Sequence, residues 1–113
     1  MKKVEAIIRP EKMNEVKAAL DGIGFPGMTF TQVIGRGQQR GQADPTTGGP
    51  PVSVDLLPKV KVEVVVPDDA VERTMEAIAA AARTGNIGDG KIFVIPVDEA
   101  MRVRTGERGD PAL

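Results

Sequence analysis

The stretch from Lys59 to Val66 reads K-V-K-V-E-V-V-V. In an extended chain Val60, Val62, Val64 and Val66 fall on one side and Lys59, Lys61, Glu63 and Val65 on the other, the two-residue period of a strand. One side is wholly aliphatic, so it faces a core. Toward the end, at Val64-Val65-Val66, both sides turn apolar. The run Ile92-Phe93-Val94-Ile95 does the same and reads as a buried strand in so short a chain. Strands that are apolar on both sides are covered on both sides. Both sides of these strands therefore need a cover.

Downstream of this strand, Pro67 ends the ladder, and Asp68 or Asp69 is expected to cap a helix whose first turn carries Glu72. Val71, Met75, Ile78, Ala79 and Ala82 recur at helical spacing and form its buried stripe. Residues 84–91 follow, then a strand to about Val97. Asp98 to Leu113 is a tail in which Arg102 and Arg104 point the same way if the backbone is extended. Upstream, a first strand from about Lys3 to Ile8 stops at Arg9-Pro10. A helix follows from about Glu11, with Met13, Val16, Ala19, Leu20 and Ile23 in its stripe, and ends at Gly22, Gly24 and Pro26. A second strand spans about Gly27 to Gly35. From Gly35 to Pro58 glycine and proline dominate and no core-facing period survives. A segment of that length without its own structure is uncommon inside a domain and is usually functional or disordered; projecting from strands on both sides, it is expected to be functional.

The order β-α-β-β-α-β is the split βαβ, or ferredoxin-like, arrangement of the α+β class. It has a four-stranded antiparallel sheet with both helices on one face. Nothing in a single domain spanning residues 1–113 is left over to cover the other face. Self-association is expected to cover it.

Composition removes several functions. With 15 basic and 16 acidic side chains, the net charge of −1 gives no field for nonspecific nucleic-acid binding. RNA recognition on this strand order needs exposed aromatics for stacking, and there are three phenylalanines but no tyrosine or tryptophan. No nucleic-acid partner is expected. Cysteine and histidine are both absent, which excludes disulfides, zinc sites and the commonest activated nucleophiles. No enzymatic activity is expected. The start, Met1-Lys2-Lys3-Val4, does not read as a signal peptide, and no apolar run approaches membrane-spanning length, so a cytoplasmic protein is expected.

Residues 84–91 read T-G-N-I-G-D-G-K. Gly85, Gly88 and Gly90 let the backbone reach positive φ, so that successive N–H groups can converge on an anion, with Lys91 adding a point charge at the exit. The spacing meets the glycines and lysine of a Walker loop, but Ile92 stands where a magnesium-binding hydroxyl belongs. A plain helix-to-strand turn also wants glycine, so this loop alone leaves both readings open.

Five blocks in order resolve the ambiguity: K-K-V-E-A-I-I-R-P, G-M-T-F-T-Q-V-I-G-R-G-Q-Q-R-G, L-P-K-V-K-V-E-V-V-V-P-D-D, T-G-N-I-G-D-G-K-I-F-V and R-V-R-T-G-E. In these the chain resembles the PII signal-transduction proteins over nearly its full length. The resemblance implies a cytoplasmic homotrimer that senses ATP, ADP and 2-oxoglutarate. It also implies binding to a target protein (an ammonium transporter, a metabolic enzyme or another transporter) through a long effector loop, the T-loop. That loop corresponds to residues 37–58, and residues 84–91 to the nucleotide-binding B-loop. The membrane is reached only through a transporter partner. The nucleotide site it implies comprises Ile7, Thr29, Gly35, Gly37, Gln38, Glu63 and Val65, then Thr84, Gly85, Gly88, Asp89, Gly90 and Lys91. Arg102 and Arg104 come from a neighbouring subunit. For 2-oxoglutarate it implies Arg9, Gln39, Gly41, Lys59 and Gly88, with Gln39 also a ligand of Mg2+.

Three features depart from the family pattern. Gln38 stands where a basic residue is usual. Residues 42–55 do not follow the common T-E-x-Y-R-G-x-x-Y pattern, and the tyrosine modified in many members has no counterpart because the chain has none. A divergent PII-like regulator of another process, such as metal efflux or anion transport, is the alternative.

Overall fold

The computed structural model describes residues 1–40 and 52–113, and for 38–40 and 52–55 the backbone alone. Four strands, β1 (Lys2–Ile8), β2 (Thr29–Arg40), β3 (Val52–Val66) and β4 (Lys91–Pro96), and two helices, α1 (Met13–Gly22) and α2 (Val71–Ala82), follow the expected order. The sheet runs β2-β3-β1-β4 with every pair antiparallel, and both helices pack on one face. This is the α+β, ferredoxin-like arrangement. No described helix is long and apolar enough to cross a membrane.

The core is the aliphatic side of that sheet. Val4, Ala6 and Ile8 of β1 and Val60, Val62, Val64 and Val66 of β3 meet Val16 and Leu20 of α1 and Ile78 and Ala82 of α2, all nearly inaccessible to solvent. At roughly 1.5–3 kcal/mol for each large side chain removed from water, this layer dominates the stability of the fold. Met13, the first residue of α1, stays exposed, whereas Thr74, outside the expected stripe of α2, is fully buried. Its hydroxyl donates to the Ala70 carbonyl at 2.7 Å, so the buried polar group is satisfied within the helix.

Two local expectations give way. Neither Asp68 nor Asp69 caps α2, because a 3-10 turn over Asp68–Ala70 delays the helix to Val71 and leaves Ala70 at the cap with no side-chain bond. Asp68 instead accepts an ion pair from the Met1 amino group at 2.9 Å. The second strand also does not end at Gly35. β2 continues to Arg40 and pairs with β3 from Gly35↔Leu57 to Arg40↔Val52. β1 leaves β3 at the Ile8↔Val60 pair, so beyond that point the sheet narrows to a two-stranded ribbon. A ribbon has no core and needs no hydrophobic period; Ile34 and Leu56 on it are 74% and 71% exposed. Pro58 lies where β3 has a single neighbour, the setting in which a strand tolerates a missing N–H.

The other face of the sheet carries Lys3, Glu5 and Ile7 of β1, Lys59, Lys61, Glu63 and Val65 of β3, Thr29 and Thr31 of β2, and Lys91, Phe93 and Ile95 of β4, in register across the strands. The described residues leave most of it open, with Phe93 47% exposed. Ion pairs run across its middle: Lys3 lies 3.5 Å from Glu5 and 3.3 Å from Glu63, and Lys61 lies 3.4 Å from Glu63. The hydrogen bond from Lys3 holds the Glu63 carboxyl below its ordinary range and raises the Lys3 ammonium.

Candidate functional site

Residues 83–90 carry the chain from α2 to β4. Gly85, Gly88 and Gly90 adopt φ of 88°, 103° and 103°. At Gly90 a Cβ would stand 1.7 Å from the Ile7 carbonyl oxygen, so only glycine lets the loop return this close to β1. The return sets Lys91 opposite Ile7 on the open face of the sheet.

Side chains from the end of β1 and from β3 tie the loop down. Arg9, just past β1, donates its Nε to Asp89 at 3.1 Å and a terminal nitrogen to the Ile87 carbonyl at 2.8 Å. Lys59 of β3 donates to the Gly88 carbonyl at 2.6 Å. Asp89 in turn accepts from the N–H groups of Thr84 and Gly85, each at 2.8 Å, and from the Thr84 hydroxyl. The Thr84 hydroxyl bond, the two N–H groups and Arg9 together hold the Asp89 carboxyl well below the usual carboxylate range. Partial burial lowers Lys59, and the nearby charge of Arg9 lowers it further.

Eleven of the implied site residues line two clefts at opposite ends of the open face, and Arg9, Thr84, Gly85 and Asp89 border neither. One, of about 390 Å³, is bounded by Ile7, Gly35, Gly37, Lys59, Gly88, Gly90 and Lys91, with Leu57, Ile87 and Phe93 as apolar walls. The other, of about 670 Å³, is bounded by Thr29, Glu63, Val65 and Arg102, with Lys3, Phe25 and Leu113. Phe93, Leu57 and Lys3 belong to neither ligand set the resemblance implied. The two-residue alternation was the available signal, since it places them on the face that carries Ile7, Glu63 and Lys91. Arg104 borders neither cleft. The tail is not extended there: Met101 bridges to Arg108 and the Gly106 N–H donates to the Arg102 carbonyl at 2.8 Å, so 102–106 form a turn. Arg102 lies 3.6 Å from Glu107, and Val103 at the turn is 99% exposed. Gln38 and Gln39 pair through their backbones with Val54 and Ser53, and Gly41 lies outside the described residues, as does half of the 37–58 segment.

A family model described as nitrogen regulatory protein P-II matches residues 1–107. The chain belongs to the P-II family. It is 56% identical over 113 residues to the nitrogen regulatory protein P-II of Azospirillum brasilense, and 56% to that of Rhodospirillum rubrum. Identity to the P-II protein of Bradyrhizobium diazoefficiens is 54% over the same span, and in all three cases the match covers the whole of both chains. These P-II relatives are named as regulatory proteins, not as enzymes.

The donor set of the smaller cleft fits a polyphosphate. Glycine backbone at positive φ leaves N–H groups unshielded by Cβ, and Lys59 and Lys91 supply cations at its rim. Among the described residues no group of three or more acidic side chains could hold a metal ion. A magnesium ion there would rely on oxygens of the ligand itself.

Proposed function

We propose that this P-II protein senses ATP or ADP together with 2-oxoglutarate, and controls enzymes or transporters of nitrogen metabolism through residues 37–58. The observation that carries this reading is the convergence of Gly88, Gly90, Lys91, Lys59, Gly35, Gly37 and Ile7 on one cleft at the root of the β2–β3 ribbon. Gly35 and Gly37 open the ribbon and Lys59 closes it, so a ligand held between them biases the segment beyond by its differential affinity for that segment's states.

Thr29, Glu63, Val65 and Arg102 line the other cleft, so one copy presents two half-sites. A second copy joined through the open face would bring complementary halves together, and the reading is therefore a homotrimer with a nucleotide at each junction. Arg102 and Arg104 then serve the neighbour's ligand. Mg2+ bound to the phosphates and Gln39 supplies the bridge to 2-oxoglutarate, whose distal carboxylate takes the charge of Lys59, with Arg9 and the backbone of Gly41 and Gly88 nearby. Lys59 has to exchange its bond to the Gly88 carbonyl for that carboxylate. Both bonds are charge-assisted, and the carboxylate adds the attraction of opposite charges. The protein acts in the cytoplasm by binding and catalyses nothing. With no tyrosine, its loop is switched by ligands and not by nucleotidylation of a phenol. Because residues 42–55 depart from the family pattern, the second reading is a divergent P-II regulator of metal efflux or anion transport, and the target retained from native extract with and without ATP separates the two.

Calorimetric titration tests the proposal with ATP, with ADP, and with 2-oxoglutarate in the presence and absence of Mg-ATP. Both nucleotides are expected to bind, and 2-oxoglutarate only when Mg-ATP is present. Lys91→Ala is expected to weaken ATP binding by roughly tenfold to a hundredfold, the size of a charge-assisted contact. ATP binding by Lys91→Ala equal to that of the parent would show that the site is misplaced.

A further inference from the structure

The 84–91 loop already holds an anion, and it is part of the chain. Both the Thr84 and Gly85 N–H groups donate to Oδ2 of Asp89, and the Thr84 hydroxyl donates to Oδ1. The Asn86 N–H is used as well, donating to the Thr84 hydroxyl at 3.2 Å. The N–H groups of Thr84, Gly85 and Asn86 are therefore committed internally, and a phosphate chain entering the cleft meets the second half of the loop, Gly88 to Lys91. On its far side the same carboxylate takes the Nε of Arg9, whose other arm reaches the Ile87 carbonyl. Arg9 is packed closely there, and a Cβ at Gly88 would stand 3.2 Å from its terminal nitrogen.

We infer that Asp89 and Arg9 are positioning residues: Asp89 fills the anion nest of Thr84 and Gly85, and Arg9 bridges that carboxylate to the Ile87 carbonyl, so that Gly88 to Lys91 are held open for a polyphosphate. This rests on the functional reading above and changes the part played by four residues in it. Thr84, Gly85 and the Asp89 carboxylate shape the loop without touching the nucleotide, and Arg9 serves the loop first. The geometry suits arginine, whose rigid fork can donate to two acceptors at once; a lysine has one nitrogen to offer. The bridge joins Asp89 to the end of β1, where Gly90 presses against the Ile7 carbonyl, so the loop is fixed to β1 at two adjoining points.

The experiment compares the parent chain with Asp89→Ala, Asp89→Asn, Arg9→Gln and the Asp89→Ala/Arg9→Gln double variant. Amide hydrogen exchange is measured without ligand, ATP affinity by calorimetry, and the unfolding midpoint for each. In Asp89→Ala the Thr84 and Gly85 amides are expected to lose protection, with ATP binding weakened about tenfold, a change of about 1.4 kcal/mol. The unfolding midpoint stays close to the parent's because the loop lies outside the core. Asp89→Asn keeps one acceptor oxygen and is expected to fall between parent and Asp89→Ala. Arg9→Gln weakens ATP binding with no 2-oxoglutarate present, and the double variant binds no worse than Asp89→Ala, since both changes break one unit. Unchanged amide protection in Asp89→Ala would overturn the internal-anion geometry, whatever the ligand proves to be. Parent-like ATP binding by both Asp89→Ala and Arg9→Gln, or losses that add in the double variant, would overturn the positioning role. A parent chain that binds no ATP would instead refute the functional reading, while the exchange data would still test the loop.

Discussion

The two faces of β3 differ more than any two regions of the molecule. On the helix side Val60, Val62, Val64 and Val66 are sealed beneath α1 and α2. On the other side Lys59, Lys61, Glu63 and Val65 alternate with them, residue by residue, and stay partly open, tied by ion pairs and by the contact of Lys59 with Gly88. The sealed face makes the fold and holds no ligand chemistry. The open face holds Lys59, Glu63 and Val65 of the candidate site and adds little to the stability of one copy, because partly exposed ion pairs are weakly favourable at best. A two-residue period thus lets one strand divide stability from function.

The contrast is broken most severely from the sealed side. Ile78→Ala, which opens a cavity between α2 and the sheet, is expected to cost about 2–5 kcal/mol in denaturant unfolding while leaving the ligand preference of any folded protein unchanged. A loss of only a few tenths would mean that α2 is not packed as described. On the open side, Gly90→Ala is expected to abolish tight ATP binding with a smaller effect on unfolding, since a side chain at φ of 103° and 1.7 Å from the Ile7 oxygen must displace the loop and not the core. Calorimetry and the unfolding midpoint on the same variant separate the two effects.

Phe93→Asp is expected to shift sedimentation toward the monomer if the open face joins copies, with the far-ultraviolet spectrum retained. An unchanged assembly would remove this face from the interface. The smallest effect concerns pH. Burial and the charge of Arg9 place the Lys59 ammonium below 10.5, with Glu11 and Asp89 opposing in part. A lysine lowered in the folded state is charged below its folded pKa and loses the proton as pH rises through it. Anion affinity at Lys59 is therefore expected to decline at a lower pH than for an exposed lysine, and titrations at several alkaline pH values, against Lys59→Arg as the non-titrating control, would show the shift.

Much of this was legible in the chain itself. The alternation at Lys59 to Val66, the helical stripes through Val16 and Leu20 and through Ile78 and Ala82, and the proline stops at Pro10 and Pro67 are local patterns. Local patterns suffice for strands and helices because each element reports which of its sides is apolar. The glycines of residues 84–91 marked a loop with positive φ for the same reason. Only the tertiary structure decided the ribbon from Gly35 to Arg40, whose strands satisfy each other's backbones and need no apolar period to do so. Only it could show that Asp89, five residues on from Thr84, turns back to take that residue's N–H, or that Arg9 and Lys59 arrive at the same loop from different strands. Such contacts depend on register and on the direction of individual side chains, which composition and periodicity do not encode. The two clefts lie at different positions along the same strands, Lys3, Thr29 and Glu63 at one and Ile7, Gly35 and Lys59 at the other, and only strand pairing brings the three residues of each together.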